Sequence, residues 1–210
     1  MTIYDLKPAF QNLLRPCCRS LAGAGITANQ VTLAALLLSL AVGGFFALFP
    51  TSRWAALSIP AWLFLRMALN AIDGMLAREH HMQSRLGGVL NELGDVVSDT
   101  AIYLPFALVP GISPVIVVAV VILSIITEMA GVVAIQIGAS RRYDGPMGKS
   151  DRAFAFGLLA LLLGCGLQPG WWANTGLSIV AMLAALTVIN RVSGALKELA
   201  CVNDEANRSE

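Results

Sequence analysis

The stretch from Asn70 to Asp99, NAIDGMLAREHHMQSRLGGVLNELGDVVSD, decides how the chain must fold. It places polar and acidic residues in segments otherwise apolar enough to lie in a membrane. Asn70, Asp73, Gly74 and Ala77 follow i, i+3, i+4, i+7 spacing, so in a helix they share one face. Gly87, Asn91, Asp95 and Asp99 recur at every fourth position and make a second polar stripe. Arg78 and Arg85 lie between the stripes, in a short connection with His80 and His81. Two antiparallel helices with facing polar stripes and a basic turn can hold a divalent cation and a phosphate.

Outside this stretch the composition excludes an ordinary soluble domain. Of 210 residues, 57% are hydrophobic and 13% charged, and the mean hydropathy is +0.72. A net charge of +1 gives no reason to expect a nucleic-acid partner. Cys17 and Cys18 are adjacent, Cys165 lies in an apolar run and Cys201 near the carboxyl end, which is neither a disulfide framework nor a zinc spacing. The first long apolar run begins near Asn29, so no cleavable leader is expected. Apolar runs cover residues 26–49, 53–77, 87–110, 112–138, 153–167 and 171–192. Each is near the ~20 residues that a bilayer needs. Thr27 and Asn29 supply capping groups for the first, and Pro50 ends it.

The predicted fold is therefore all-α and polytopic. Residues 1–25 are expected to form an interfacial amphipathic helix, with Ile3, Leu6, Phe10, Leu13 and Leu14 opposite Lys7, Arg15 and Arg19. Residues 26–197 hold six transmembrane helices around a cavity open to the cytoplasm, and residues 198–210 form a polar cytoplasmic tail. Basic residues cluster at the amino end, in the 78–85 and 141–152 connections and at the carboxyl end, whereas the alternate loops contain only Arg53. That asymmetry predicts both termini in the cytoplasm. Trp54, Trp171 and Trp172 then fall at the far interface.

Antiparallel pairing of the second and third spans sets Asp73 level with Asn91, Asn70 with Asp95, and Arg66 with Asp99. Buried polar residues can join membrane helices for roughly 1 kcal/mol each. Asp73, Asp95, Asp99, Arg66 and Glu128 together exceed what such joining requires, and intramembrane ionisable groups mark function. Arg66 and Asp99, one turn deeper than the rest, are expected to form a structural salt bridge. The 140–152 loop reads either as ordinary positive-inside bias or as a pocket for an anionic acceptor or phosphate built from Arg141, Arg142, Lys149 and Arg152. Glu128 either lines the cavity or bonds a neighbouring helix. His80 and His81 read as solvated loop residues.

The run Asn70-Ala-Ile-Asp73-Gly74-Met-Leu-Ala77-Arg78, then Gly87, Asn91 and Asp95, closely resembles the signature of the CDP-alcohol phosphotransferases, D-x2-D-G-x2-A-R-x8-G-x3-D-x3-D. Asp73, Gly74, Ala77, Arg78, Gly87 and Asp95 match it, while Asn70 and Asn91 stand at its first and third aspartates. Thr27, Asn29 and Thr32 before the first span and Gly148-Lys149 between the fourth and fifth extend the resemblance.

The resemblance implies an enzyme of phospholipid biosynthesis. A small acceptor alcohol attacks the phosphate of a CDP-alcohol, commonly CDP-diacylglycerol, and CMP leaves. It implies one or two Mg²⁺ or Mn²⁺ ions on Asp73, Asp95, Asn70 and Asn91, with Asp95 as general base. Gly74, Ala77, Arg78, Gly87 and Thr32 are implied to hold nucleotide and phosphate. A homodimer in the inner membrane of a bacterium is also implied. Two asparagines remove two negative charges, so a one-metal site is a reading beside the two-metal one. A shift of the site to Asp95 and Asp99 is less favourable because Arg66 is the nearer partner of Asp99. The alternative function is a catalytically degenerate relative that binds nucleotide or lipid. A transporter ranks below both, because no inverted repeat or pair of broken helices is visible.

Overall fold

The computed structural model describes the backbone of residues 3–209 and the side chains of residues 10–201. Among these residues seven α-helices follow one another: α1 (Ile3–Gly23), α2 (Ala28–Leu48), α3 (Arg53–Glu79), α4 (Arg85–Tyr103), α5 (Pro114–Gln136), α6 (Lys149–Gly164) and α7 (Trp171–Ser209). A 3-10 turn, Leu104–Leu108, follows α4.

Local chemistry sets most boundaries. The Thr27 hydroxyl accepts the Gln30 N–H at 3.3 Å and Gln30 Oε1 accepts the Thr27 N–H at 2.9 Å, a capping box that starts α2. Ser52 caps α3 and Ser84 caps α4, each accepting an N–H three residues on. The expected third run to residue 110 is instead α4 to Tyr103 followed by the tight turn that contains Pro105, which has no N–H to give an α-helix. The fifth run begins earlier than expected, at Lys149, because Asp151 Oδ2 accepts the Gly148 N–H at 2.9 Å. The sixth runs on through the expected tail to Ser209, since residues 195–209 contain neither glycine nor proline.

α1 packs against α3 through Leu14, Cys18 and Leu21, which join Ile72, Met75 and Leu76 in a small cluster. Leu13 stays exposed and Arg15 bonds Glu79 at 3.0 Å. The side chains of Ile3, Leu6 and Lys7, which the amphipathic reading also uses, lie outside the described residues. The main core sits at the other end, where Phe46, Tyr103, Phe106 and Phe156 interlock and Tyr103 stacks on Phe156 at 4.1 Å. Trp62 enters it with its indole N–H on Ser39 Oγ at 3.0 Å.

Four helices, α2, α3, α5 and α7, are long and apolar enough to cross a membrane. Large apolar side chains such as Leu37, Val115, Ile122, Phe154 and Leu186 stand exposed. The protein is an integral membrane protein. α4 carries Glu92, Asp95 and Asp99, and α6 has only 16 residues, so neither is apolar and long enough by itself. The α2–α3, α4–α5 and α6–α7 connections meet at one end, around a cavity of ≈ 210 Å³ lined by Pro50, Arg53, Pro110, Gly166 and Pro169. There Asn174 accepts the Ser113 N–H at 2.7 Å and donates to the Gly111 carbonyl at 3.0 Å.

Candidate active site

The site is built on α3 and α4, which are held by a common neighbour. α2 packs closely against each, while α3 and α4 stand apart and meet through side chains. Their register is antiparallel: Arg66 forms an ion pair with Asp99, and Asn70 Nδ2 lies 3.4 Å from Asp95 Oδ1. The gap between the two polar stripes is thus bridged at its floor and open above it.

Arg66 does more than pair with Asp99. Its Nη2 reaches Asp95 Oδ1 at 3.1 Å and the Asp95 carbonyl at 3.3 Å. Lys149, from the first turn of α6, forms an ion pair with Asp95 Oδ2. Asp95 is therefore gripped on both oxygens. The Arg66 and Asp99 side chains are 4% and 8% exposed, against 23% for Asp95; Asp99 lines only a void of ≈ 10 Å³, whereas Asp95 opens onto a larger cavity.

Asp73 is buried on α3 and accepts the Thr32 hydroxyl of α2 at 2.9 Å. Gly74 leaves room for the guanidinium of Arg78, one turn on: a Cβ there would lie 3.1 Å from Nη2. Gly87 allows α4 to begin against Asn29; a Cβ would stand 2.6 Å from Asn29 Oδ1 and 3.0 Å from Ser84 Oγ. Asn29 Nδ2 in turn donates to Ser84 Oγ at 3.2 Å.

Two cavities adjoin here. The larger, ≈ 1150 Å³, is lined by Thr32, Asn70, Asp73, Arg78, Gly87 and Asn91, with Gly74 and Ala77 also on its wall. The smaller, ≈ 360 Å³, is lined by Asn91, Glu92, Asp95, Glu128, Arg141 and Lys149 among others. Asn91 and Ser150 belong to both. The structure brings together Asn70, Asp73, Asn91 and Asp95 at this boundary.

The basic residues of the 140–152 loop separate. Arg141 lines the smaller cavity, ion-paired with Glu92 and donating from Nη2 to Glu92 Oε2 at 2.8 Å. Arg142 turns to Asp144 at 2.7 Å and Glu198 at 2.9 Å, away from both cavities. The Arg142 guanidinium holds the Asp144 carboxyl below the usual carboxylate range. Arg152 is fully buried, with Nη2 on Glu128 Oε1 at 2.8 Å and Nη1 on Thr127 Oγ1 at 2.9 Å. The pocket for an anion expected from these arginines is therefore already filled with carboxylates. Glu128 both lines the cavity and bonds a neighbouring helix, which joins its two readings. Two residues that the sequence did not single out for the site complete it: Glu92, one place beyond Asn91, and Arg191 of α7, 3.6 Å from Glu128.

Among the described residues no three His, Cys, Asp or Glu side chains come together as a metal cluster. The donor set at the boundary is two carboxylates, Asp73 and Asp95, and two amides, Asn70 and Asn91. All can present oxygen, which suits a hard cation, and two negative charges match one divalent ion.

A helical bundle with this polar seam defines an integral membrane protein with a candidate active site between α3 and α4. The CDP-alcohol phosphatidyltransferase family matches residues 25–192, and the chain belongs to that family. It is 46% identical over 198 residues to the inner membrane protein YnbA of Escherichia coli strain K12, covering 93% of this chain and 97% of that one. To the phosphatidylinositol phosphate synthase of Mycolicibacterium smegmatis it is 28% identical over 218 residues, 95% of this chain and 93% of the relative. Its fold is similar to the crystal structure of Mycobacterium tuberculosis phosphatidylinositol phosphate synthase with CDP-DAG bound. The TM-score is 0.72 at 20% identity, covering 86% of this chain and 92% of that one. The same enzyme in complex with manganese and citrate gives a TM-score of 0.72 at 20% identity over 86% and 88% of the two chains.

Proposed function

We propose that the protein transfers a substituted phosphate, such as a phosphatidyl group, from a CDP-alcohol to the hydroxyl of a small acceptor alcohol, with release of CMP. The observation that carries this reading is the boundary between the two cavities, where Asp73 faces the larger and Asp95 the smaller. A nucleotide-linked donor fits the first and an acceptor the second. The CDP-DAG complex of the mycobacterial enzyme supports CDP-diacylglycerol as the donor.

Each residue has a task. Arg78 pairs with a phosphate of the donor, over the space that Gly74 leaves. Thr32 fixes the Asp73 carboxylate. The acceptor oxygen bonds to the phosphorus that carries the lipid alcohol, the bond from that phosphorus to the CMP oxygen breaks, and the hydroxyl proton passes to Asp95. That transfer requires Lys149 to leave Asp95 Oδ2, so its ion pair describes the resting site. Asp73 and Asp95, with the amide oxygens of Asn70 and Asn91, would hold one Mg²⁺ or Mn²⁺. Bound there, such an ion would offset the charge of the pyrophosphate and the leaving group. The manganese complex of the mycobacterial enzyme supports this assignment.

In the membrane, α2 to α7 make six crossings, with both termini and the two cavities on the cytoplasmic side. The common end shared by three connections supports this count, and the distribution of basic residues supports the direction. The name of the Escherichia coli relative supports a bacterial inner membrane. A second reading, a family member that binds nucleotide or lipid without turnover, draws on the grip of Arg66 and Lys149 on Asp95. CMP release from CDP-diacylglycerol, assayed with Mg²⁺ or Mn²⁺ and a panel of alcohols, decides between them. No release with any alcohol overturns the transferase reading.

A further inference from the structure

We infer that the smaller cavity selects an uncharged polyhydroxy acceptor and rejects a phosphorylated one. This deepens the transferase reading and rests on it. The cavity of ≈ 360 Å³ holds Asp95 in its wall and joins the donor cavity at Asn91 and Ser150, so an acceptor hydroxyl must be presented from it. A phosphate on that acceptor would bring about −1.5 to −2 charge at neutral pH and would need cations free to receive it.

The resting cavity offers none unpaired. Lys149 is held by Asp95 there, and it is the single cation that turnover releases. Arg141 is held by both oxygens of Glu92. Arg191 donates to the Thr127 carbonyl and stands 3.6 Å from Glu128. Arg152, behind the wall, is closed off by Glu128 at 2.8 Å and by Thr127 and the Met147 carbonyl. Asp151, the remaining carboxylate on the wall, adds a fourth negative charge to those of Glu92, Asp95 and Glu128. Four basic and four acidic groups thus balance, and a phosphate entering there would meet carboxylates at every cation but the released Lys149. Uncharged hydroxyls face no such conflict. They can donate to Glu92 and Glu128 and accept from Arg141, and only the Lys149–Asp95 pair need open for turnover.

The test uses the full-length protein in detergent with CDP-diacylglycerol and Mn²⁺. CMP release is compared for myo-inositol and glycerol against inositol 1-phosphate and glycerol 3-phosphate at equal concentrations. At least tenfold higher kcat/KM for an uncharged member of each pair is expected, and preference for the phosphorylated members overturns the inference. A binding measurement that needs no turnover separates this outcome from failure of the transferase reading. Inositol 1-phosphate is titrated into the wild type and into Glu92→Gln, which frees Arg141 at a half-exposed site. The variant is expected to bind at least tenfold more tightly. Wild type binding as tightly as the variant, or more so, overturns the inference even if no alcohol is turned over.

Discussion

Asp95 shares its two oxygens among Arg66, Asn70 and Lys149, and that crowding governs what single substitutions will do. Asp73→Asn is expected to abolish CMP release and to weaken divalent-ion binding at least tenfold, measured by titration calorimetry. Joint restoration of Asn70→Asp and Asn91→Asp should tighten divalent binding at least tenfold, about 1.4 kcal/mol. The same double variant should melt lower without metal, because the amide that now donates to Asp95 becomes a second carboxylate beside it. Weaker metal binding in that variant would show a pocket tuned for amides. At the floor, Arg66→Leu and Asp99→Leu each strand a buried charge, a loss of ~3–5 kcal/mol. Their combination should recover more than half of the summed loss in a detergent melting experiment, since Asp95 keeps Lys149 and Arg152 keeps Glu128. Strictly additive losses would remove the coupling. The level pairing of residues 66 with 99 and 70 with 95 is legible in sequence, because helical period and antiparallel register suffice to place them. The grip of Lys149 on Asp95 and of Glu92 on Arg141 is not, because each joins distant segments through packing that no local pattern encodes.

At the scale of elements, closeness of backbone does the positioning. A Cβ on Gly43 of α2 would collide with the Ala101 carbonyl of α4, whereas one on the neighbouring Gly44 would meet nothing within 4 Å. Gly43→Ala should therefore lower stability by about 1–3 kcal/mol through overpacking. Gly44→Ala should be neutral or slightly stabilising, and equal losses in thermal melts would contradict the assigned α2–α4 contact. Helices rich in apolar residues were readable to within a few residues at their caps. α6 was not, because its first turn is Lys149-Ser150-Asp151-Arg152, which reads as loop until Glu128 is known to neutralise Arg152 from α5. The continuous α7 was also missed: polarity in residues 198–209 suggested a tail, yet nothing there breaks a helix.

For the whole molecule, native and introduced cysteines report the number of crossings. Cys165 is exposed in the α6–α7 connection and Tyr143 in the α5–α6 connection. With six crossings and cytoplasmic termini, a membrane-impermeant maleimide added to intact cells should label Cys165 and leave Tyr143→Cys untouched until the cells are opened. Labelling of both from outside would indicate that α4 and α6 do not cross. The overall class, an all-helical integral membrane protein, was legible because apolar runs of span length stand out in sequence. The neutralised smaller cavity was not, since a basic loop looks the same in sequence whether or not carboxylates from other helices meet it.

Two of the buried ion pairs also bear on how such a chain is made. Arg66–Asp99 ties α3 to α4, and Glu128–Arg152 ties strongly apolar α5 to α6. A charged residue at the centre of a lone inserting helix costs about 2.5–3.5 kcal/mol at the translocon, and α4 carries Glu92, Asp95 and Asp99. On the six-crossing reading, α4 is therefore expected to leave the translocon as a hairpin with α3 rather than to partition into lipid alone.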